Sequence, residues 1–150
     1  RLFQILPTAM AIQGNPPMRN RHMGTCLCGD NQFEVEGAFE SFYLCHCAHC
    51  QKGSGAAHTA NLFSSSATLV WCSVSGKRTT YTLPGTRHTR CFCSVCGSAV
   101  PYTLEGLLVV PAGALTTALD IAPSAHNFVA SRTGWEQKLS ETPSFDGFPT

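Results

Sequence analysis

Charged residues are scarce, at 13% of a 150-residue chain, about half the usual share near 25%. The ten Lys and Arg residues form no run and the formal charge is +1. Phosphate binding needs a concentrated basic surface, so nothing here suggests a nucleic-acid partner. Long apolar runs are missing as well. The cluster Leu2, Phe3, Ile5 and Leu6 is broken by Gln4 and Pro7. It is far too short for a membrane span and too interrupted for a good signal peptide, although Ala9-Met10-Ala11 has the form of a small-residue cleavage site. Patterns for long helices are absent too. What remains is rich in Thr, Val and Phe between turn residues, which predicts strands and turns. With 43% apolar residues, the chain suffices for one domain with a modest core.

Cysteine, by contrast, is abundant: nine residues. An oxidised secreted scaffold and metal ligation in a reducing compartment are the two ordinary explanations. The spacings favour metal, and an odd total leaves disulfide pairing incomplete. A cytoplasmic location follows from that choice. Cys26-Leu27-Cys28-Gly29 and Cys93-Ser94-Val95-Cys96-Gly97 have the form of two zinc knuckles, in which a glycine beyond the second cysteine lets backbone N–H groups turn toward sulfur. Cys26, Cys28, Cys93 and Cys96 are therefore assigned to a closed, structural four-thiolate zinc site.

The densest stretch is Cys45-His46-Cys47-Ala48-His49-Cys50. Three thiolates on one zinc ion leave a position open, and such an ion suits a further soft ligand, so a thiol substrate is expected more than a hydrolytic water. Two other readings stand beside it: His46 or His49 closes the shell, or the thiols are redox-active without metal. The expected cofactors are two zinc ions, one structural and one catalytic, with Cys45, Cys47 and Cys50 as the catalytic ligands. His46 and His49 are near enough in sequence to carry protons, whereas His58, His88 and His126 need the fold to bring them in; singly, each reads as an ordinary histidine. Cys72 beside Trp71 reads as a small buried hydrophobe and Cys91 as a spare thiol. Arg87 and Arg90 are placed to attract a carboxylate-bearing ligand, or are simply solvated.

Along the chain, residues 1–22 are set apart as an N-terminal extension, with Met10, Met18 and Met23 each available as a start; a competing reading makes this segment an arm packing on a second subunit of a homo-oligomer. Residues 23–150 form the zinc-binding domain. Alternation over Gln32 to Glu36 predicts a strand with Phe33 and Val35 on one face. A tight turn or single helical turn is expected around the three cysteines, since Gly53 and Gly55 discourage anything longer. Further strands are predicted over Ala57 to Phe63, Leu69 to Trp71 and Lys77 to Leu83, and a hairpin from Ser98 to Leu104 and Leu107 to Val110 about Glu105-Gly106. The tail gives weaker strand signals over His126 to Ala130 and Trp135 to Leu139. Ala112 to Ala122 reads equally as loop, strand or helix.

With these motifs assembled, the chain resembles the glutathione-dependent formaldehyde-activating enzyme family, which also includes centromere protein V-type proteins. The likeness is carried by Gly24-Thr25-Cys26-Leu27-Cys28-Gly29, by Cys45 to Cys50 with Lys52-Gly53-Ser54-Gly55, and by Arg90-Cys91-Phe92-Cys93-Ser94-Val95-Cys96-Gly97. Weaker echoes are Ala112-Gly113-Ala114-Leu115, Pro123-Ser124-Ala125-His126 and Trp135. The resemblance implies a mainly β architecture, the β-tent fold of small antiparallel sheets, with one zinc at Cys26, Cys28, Cys93 and Cys96 and another at Cys45, Cys47 and Cys50. It further implies a carbon–sulfur lyase that joins glutathione and formaldehyde into S-hydroxymethylglutathione, with a small thiol and a small aldehyde as partners. Cys91 and His49 depart from the family pattern without removing a ligand. Two other functions compete: a non-catalytic zinc-stabilised binding module, and methionine sulfoxide reduction using Cys72 or Cys91.

Overall fold

A computed structural model describes residues 20–73 and 76–149; the expectations for residues 1–19 lie outside the described residues. Among the described residues ten strands form three sheets, 38% of those residues being strand and 16% helical. The first sheet is antiparallel, with order β1 (Arg21–Thr25), β2 (Gln32–Glu36), β5 (Thr68–Trp71). The second runs β10 (Ala125–Asn127), β3 (Ser41–Cys45), β4 (Thr59–Ser64), β9 (Leu107–Pro111), β8 (Tyr102–Leu104). It is antiparallel except where β10 lies parallel to β3. The third is the two-stranded ribbon of β6 (Arg78–Thr82) and β7 (Thr89–Cys93).

The alternation in β2 has the expected result: Phe33 and Val35 are buried at 1% and 0% exposure. They pack with Phe42, Leu62, Leu108 and Val110 from the larger sheet, so the main core joins the first two sheets. Edge-to-face contact of Phe33 with Trp71, ring centroids 5.6 Å apart, turns Trp71 inward and leaves the next residue outside. Cys72 is accordingly exposed, not buried as its apolar neighbour suggested. A second cluster is smaller: Cys26, Cys91, Cys93 and Val100, three thiols and one valine. The hairpin predicted about Glu105-Gly106 is β8–β9, and both turn residues have positive φ, 50° and 82°, as a two-residue turn between twisted strands requires.

Several expectations are corrected. The helix α1 (Ala48–Ser54) runs seven residues, longer than a single turn, before Gly55 caps it in the left-handed conformation. Gly53 does not break it, because a glycine inside a helix costs only about 1 kcal/mol. The tail is mostly 3-10 helix: Val129–Ser131 and Gly134–Glu141, so Trp135 to Leu139 is not a strand. The strand signal at His126 stops at Asn127 because Phe128 takes a left-handed φ of 56°. Ala112–Ala114 is a short 3-10 helix. At the other end, β1 takes in Arg21 and His22, with His22 buried at 6% exposure. Among the described residues no helix is long and apolar enough to cross a membrane.

Candidate metal centres and the adjoining cavity

All nine cysteines are free thiols, and seven gather into two groups. Cys26, Cys28, Cys93 and Cys96 bring their sulfurs within 4.8 Å of one another. Cys28 Sγ lies 3.6 Å from Cys26 Sγ and 3.8 Å from Cys93 Sγ. The first pair sits in the turn between β1 and β2, the second at the end of β7. The group therefore ties the first sheet to the two-stranded ribbon across 65 residues of sequence. Gly29 and Gly97 follow the knuckles with φ of 81° and 76°, conformations open to glycine and costly for other residues.

Backbone and side-chain donors converge on these sulfurs. Asn31 N–H donates to Cys26 Sγ at 3.2 Å. Asn31 is fully buried and its side chain also ties to the carbonyl of Lys77 and the guanidinium of Arg78. Ser98 Oγ accepts from the Cys96 thiol at 3.2 Å and from Leu27 N–H. The Ser98 hydroxyl and N–H pull the Cys96 thiol down to about 5. At Cys28 the Asp30 N–H favours the thiolate, but burial and crowding by Cys26, Cys96 and Cys93 outweigh it and push the thiol up to about 12. One sulfur ionises readily while its neighbour resists, as expected when negative charges crowd one place. A divalent cation relieves that conflict, and the donor set suits zinc.

Cys45, Cys47 and Cys50 form the second group, again within 4.8 Å of one another. Cys45 ends β3, Cys47 caps α1 with its sulfur accepting from Cys50 N–H at 3.3 Å, and Cys50 lies in the first turn. Thus strand end, cap and helix face one point. Burial would raise the Cys47 thiol, but the Cys50 N–H and adjoining sulfurs hold it below its ordinary value. Burial raises Cys45 and pushes Cys50 up to about 12. Three crowded sulfurs with one favoured thiolate again fit a soft cation.

Neither adjacent histidine joins these thiols. His46 is fully buried with its ring directed to Glu136 and His126, while exposed His49 meets His88 with rings tilted by 51° and centroids 5.2 Å apart. The fold does bring other predicted residues in. A cavity of about 440 Å³ is lined by Cys45, Cys50, His58, His88, Arg87 and Arg90, and by Cys91 and Tyr102. Cys47 is not among its lining residues. Arg90 reaches over α1 because residue 53 is glycine: a Cβ there would stand 2.9 Å from Arg90 Cδ. Arg87 is paired at the surface with Glu105. Burial pushes the Tyr102 hydroxyl up to about 12; burial first and then neighbouring positive groups lower His58 and His88.

Glu136 and Asn31 belong to no motif that the sequence singles out. Asn31 directly follows the first knuckle and its turn, a position that offers a weak signal. Glu136 had none, since its partner His46 is 90 residues away and Trp135 beside it is the residue that points out, at 63% exposure.

The comparisons with known proteins agree with this architecture. A crystal structure of a Rhodobacter sphaeroides protein, a structural genomics target, superposes with a TM-score of 0.50 at 23% identity, covering 70% of this chain and 99% of that one. That likeness concerns the fold. No curated protein matches the chain. The sequence model described as glutathione-dependent formaldehyde-activating enzyme matches residues 21–131, a span holding all seven clustered cysteines. The chain belongs to the glutathione-dependent formaldehyde-activating enzyme family.

Proposed function

We propose that the protein is a zinc-dependent enzyme of the carbon–sulfur lyase type, which takes a small thiol such as glutathione and adds it to a small aldehyde such as formaldehyde. The observation that carries this reading is the cavity beside the three-sulfur group: Cys45 and Cys50 share its wall with two arginines and two histidines. A volume of about 440 Å³ lies in the range of small-molecule sites. Cys26, Cys28, Cys93 and Cys96 would hold one zinc ion as a staple, and Cys45, Cys47 and Cys50 a second. Bound there, the second ion would supply a soft Lewis-acidic position that favours the thiolate form of an incoming thiol.

The chain's own residues then have separate tasks. Arg90, held on the cavity wall over Gly53, draws the carboxylates of a glutathione-like thiol, as guanidinium groups do. His88, neutral because burial and its cationic neighbours disfavour the charged ring, accepts the thiol proton. As the sulfur–carbon bond forms, the carbonyl π pair moves to oxygen, and His88 returns the proton there. The product is the hemithioacetal, and no other reactant is consumed. Since the uncatalysed addition is already facile, proximity is the main catalytic resource. Nine free thiols suit a reducing compartment, and we place the protein in the cytoplasm.

The test is the rate of hemithioacetal formation from glutathione and formaldehyde, followed at equilibrium by exchange NMR. The zinc-loaded protein accelerates exchange and Cys47→Ser returns it to the uncatalysed rate. Equal rates with and without protein would leave a zinc-stabilised binding module instead.

A further inference from the structure

His46, His58 and Glu136 offer a third group of ligand atoms, all within 4.8 Å of one another and containing no sulfur. Glu136 reaches it from the C-terminal 3-10 helix, against the pattern of its own segment: Trp135 is 63% exposed while Glu136 is 9% exposed. Burying a carboxylate in place of an indole is costly unless the charge is satisfied. Part of the compensation is visible. Glu136 Oε2 is 3.0 Å from His46 Nδ1, and Arg132 Nε is 3.4 Å from Oε1. The far side of the His46 ring is engaged too, with Nε2 2.8 Å from His126 Nδ1.

That hydrogen-bonded chain leaves His58 unexplained. Its ring stands 4.9 Å from that of His46, and its Nδ1 is shielded from solvent with no hydrogen-bond partner. A shielded polar atom without a partner costs about 1–3 kcal/mol, so such atoms call for a missing neighbour.

We propose that His46, His58 and Glu136 form a third metal site, ligated by two imidazoles and one carboxylate, for a borderline divalent first-row ion such as zinc. Nitrogen and oxygen ligands held at 2.0–2.2 Å in a tetrahedron stand roughly 3.3–3.6 Å apart, and the 3.0 Å between His46 Nδ1 and Glu136 Oε2 needs only a few tenths of an ångström of opening to reach that spacing. His126 then has the task that a ligating histidine's other nitrogen normally requires, fixing the ring and its tautomer. Arg132 occupies Oε1 and leaves Oε2 for the ion. Two main-chain constraints steady the arrangement: His46 N–H donates to Asn127 O at 2.9 Å, and Gln51 Nε2 bridges the carbonyls of His46 and Ser131 at 2.6 and 2.8 Å. Because His46 stands between Cys45 and Cys47 and His58 lines the cavity, the site would border the same chamber as the three-sulfur group while differing from it in donor chemistry.

The test is titration of the metal-stripped protein with Co²⁺, reading visible and near-ultraviolet absorption. The expected result is three equivalents, two with thiolate-to-cobalt charge transfer and one without. His58→Asn and Glu136→Gln should each lose only the sulfur-free equivalent, and retained charge-transfer bands show in the same sample that the variant is folded. Two equivalents in the wild type, or a third that persists in both variants, would overturn the proposal and leave a hydrogen-bonded network closed by Glu136. If one variant does not fold, the wild-type count and the other variant decide.

Discussion

Replacing Cys93 by serine should be far more damaging than replacing Cys47, although each change removes one thiol from a cluster. Cys93 is fully buried and its group joins the first sheet to the β6–β7 ribbon. The fully buried apolar packing at that junction is three thiols and Val100, with Trp71, Cys96 and Tyr102 only partly buried against it. Burying a valine is worth only about 1.5–3 kcal/mol, whereas structural zinc in small peptides contributes about 10–16 kcal/mol apparent at neutral pH. A zinc ion held there would therefore dominate the junction, with a contribution that rivals the stability of a whole domain, about 5–15 kcal/mol. Even if a weakened site kept most of it, a loss of about 4 kcal/mol would lower the Tm by roughly 8–16 °C in a chain of this size. At position 47 the serine still caps α1, since serine is among the best capping residues. The Cys47→Ser Tm should stay within about 4 °C of wild type, by the same scaling, with one zinc fewer. The assay is thermal unfolding by circular dichroism, with zinc counted by atomic emission. A Cys93→Ser protein melting within that 4 °C window, or a Cys47→Ser protein melting as low as Cys93→Ser, would refute the reasoning.

Three further outcomes are expected. Gly24→Ala would place a Cβ 2.2 Å from Phe33 Cζ and 2.6 Å from the Ala114 carbonyl; one neighbour is backbone, so a loss of about 1–3 kcal/mol is expected from overpacking, and an unchanged urea midpoint would contradict it. The His88 ring titrates below its ordinary 6.5 because of burial and then of His49 and Arg90, so above that pH both folded and unfolded states are neutral there. As the pH falls through 6.5 the unfolded chain binds the proton first and stability drops; the Tm of His88→Gln should fall less than that of wild type between pH 7.5 and 5.5, and parallel curves would argue against it. Arg90→Ala should raise the KM for glutathione by roughly tenfold or more, since hydrogen bonds to charged groups are worth about 1.5–3 kcal/mol; an unaltered KM would remove Arg90 from the binding wall.

The parts legible in the sequence were those fixed by local chemistry. Alternation placed Phe33 and Val35 on one face, Glu105-Gly106 marked the β8–β9 turn, and the knuckle glycines accompany the four sulfurs that converge. The three-sulfur group was equally plain because strand end, cap and first helical turn lie within six residues. Long-range partners were not legible. Nothing near His46 in the sequence says that its ring turns from the adjacent sulfurs to a carboxylate 90 residues later. Trp135 and Glu136 exchange the places their polarity suggests, and the tail coils into 3-10 turns because Phe128 leaves the strand. The exposure of Cys72 follows from period-two alternation once Trp71 faces Phe33, and that period outweighs the polarity of a single neighbour.

The central claim is that four sulfurs are locked into architecture while three keep a place for a guest thiol. Calorimetric titration of the zinc-loaded protein with glutathione, in two buffers of different ionisation enthalpy, tests it most directly. One thiol should bind per chain, with about one proton released near neutral pH in the absence of aldehyde, because the guest binds as thiolate and His88, held below its ordinary value, passes the proton on to the buffer; Cys47→Ser should not bind. Absence of binding, or binding without proton release that persists in Cys47→Ser, would contradict it.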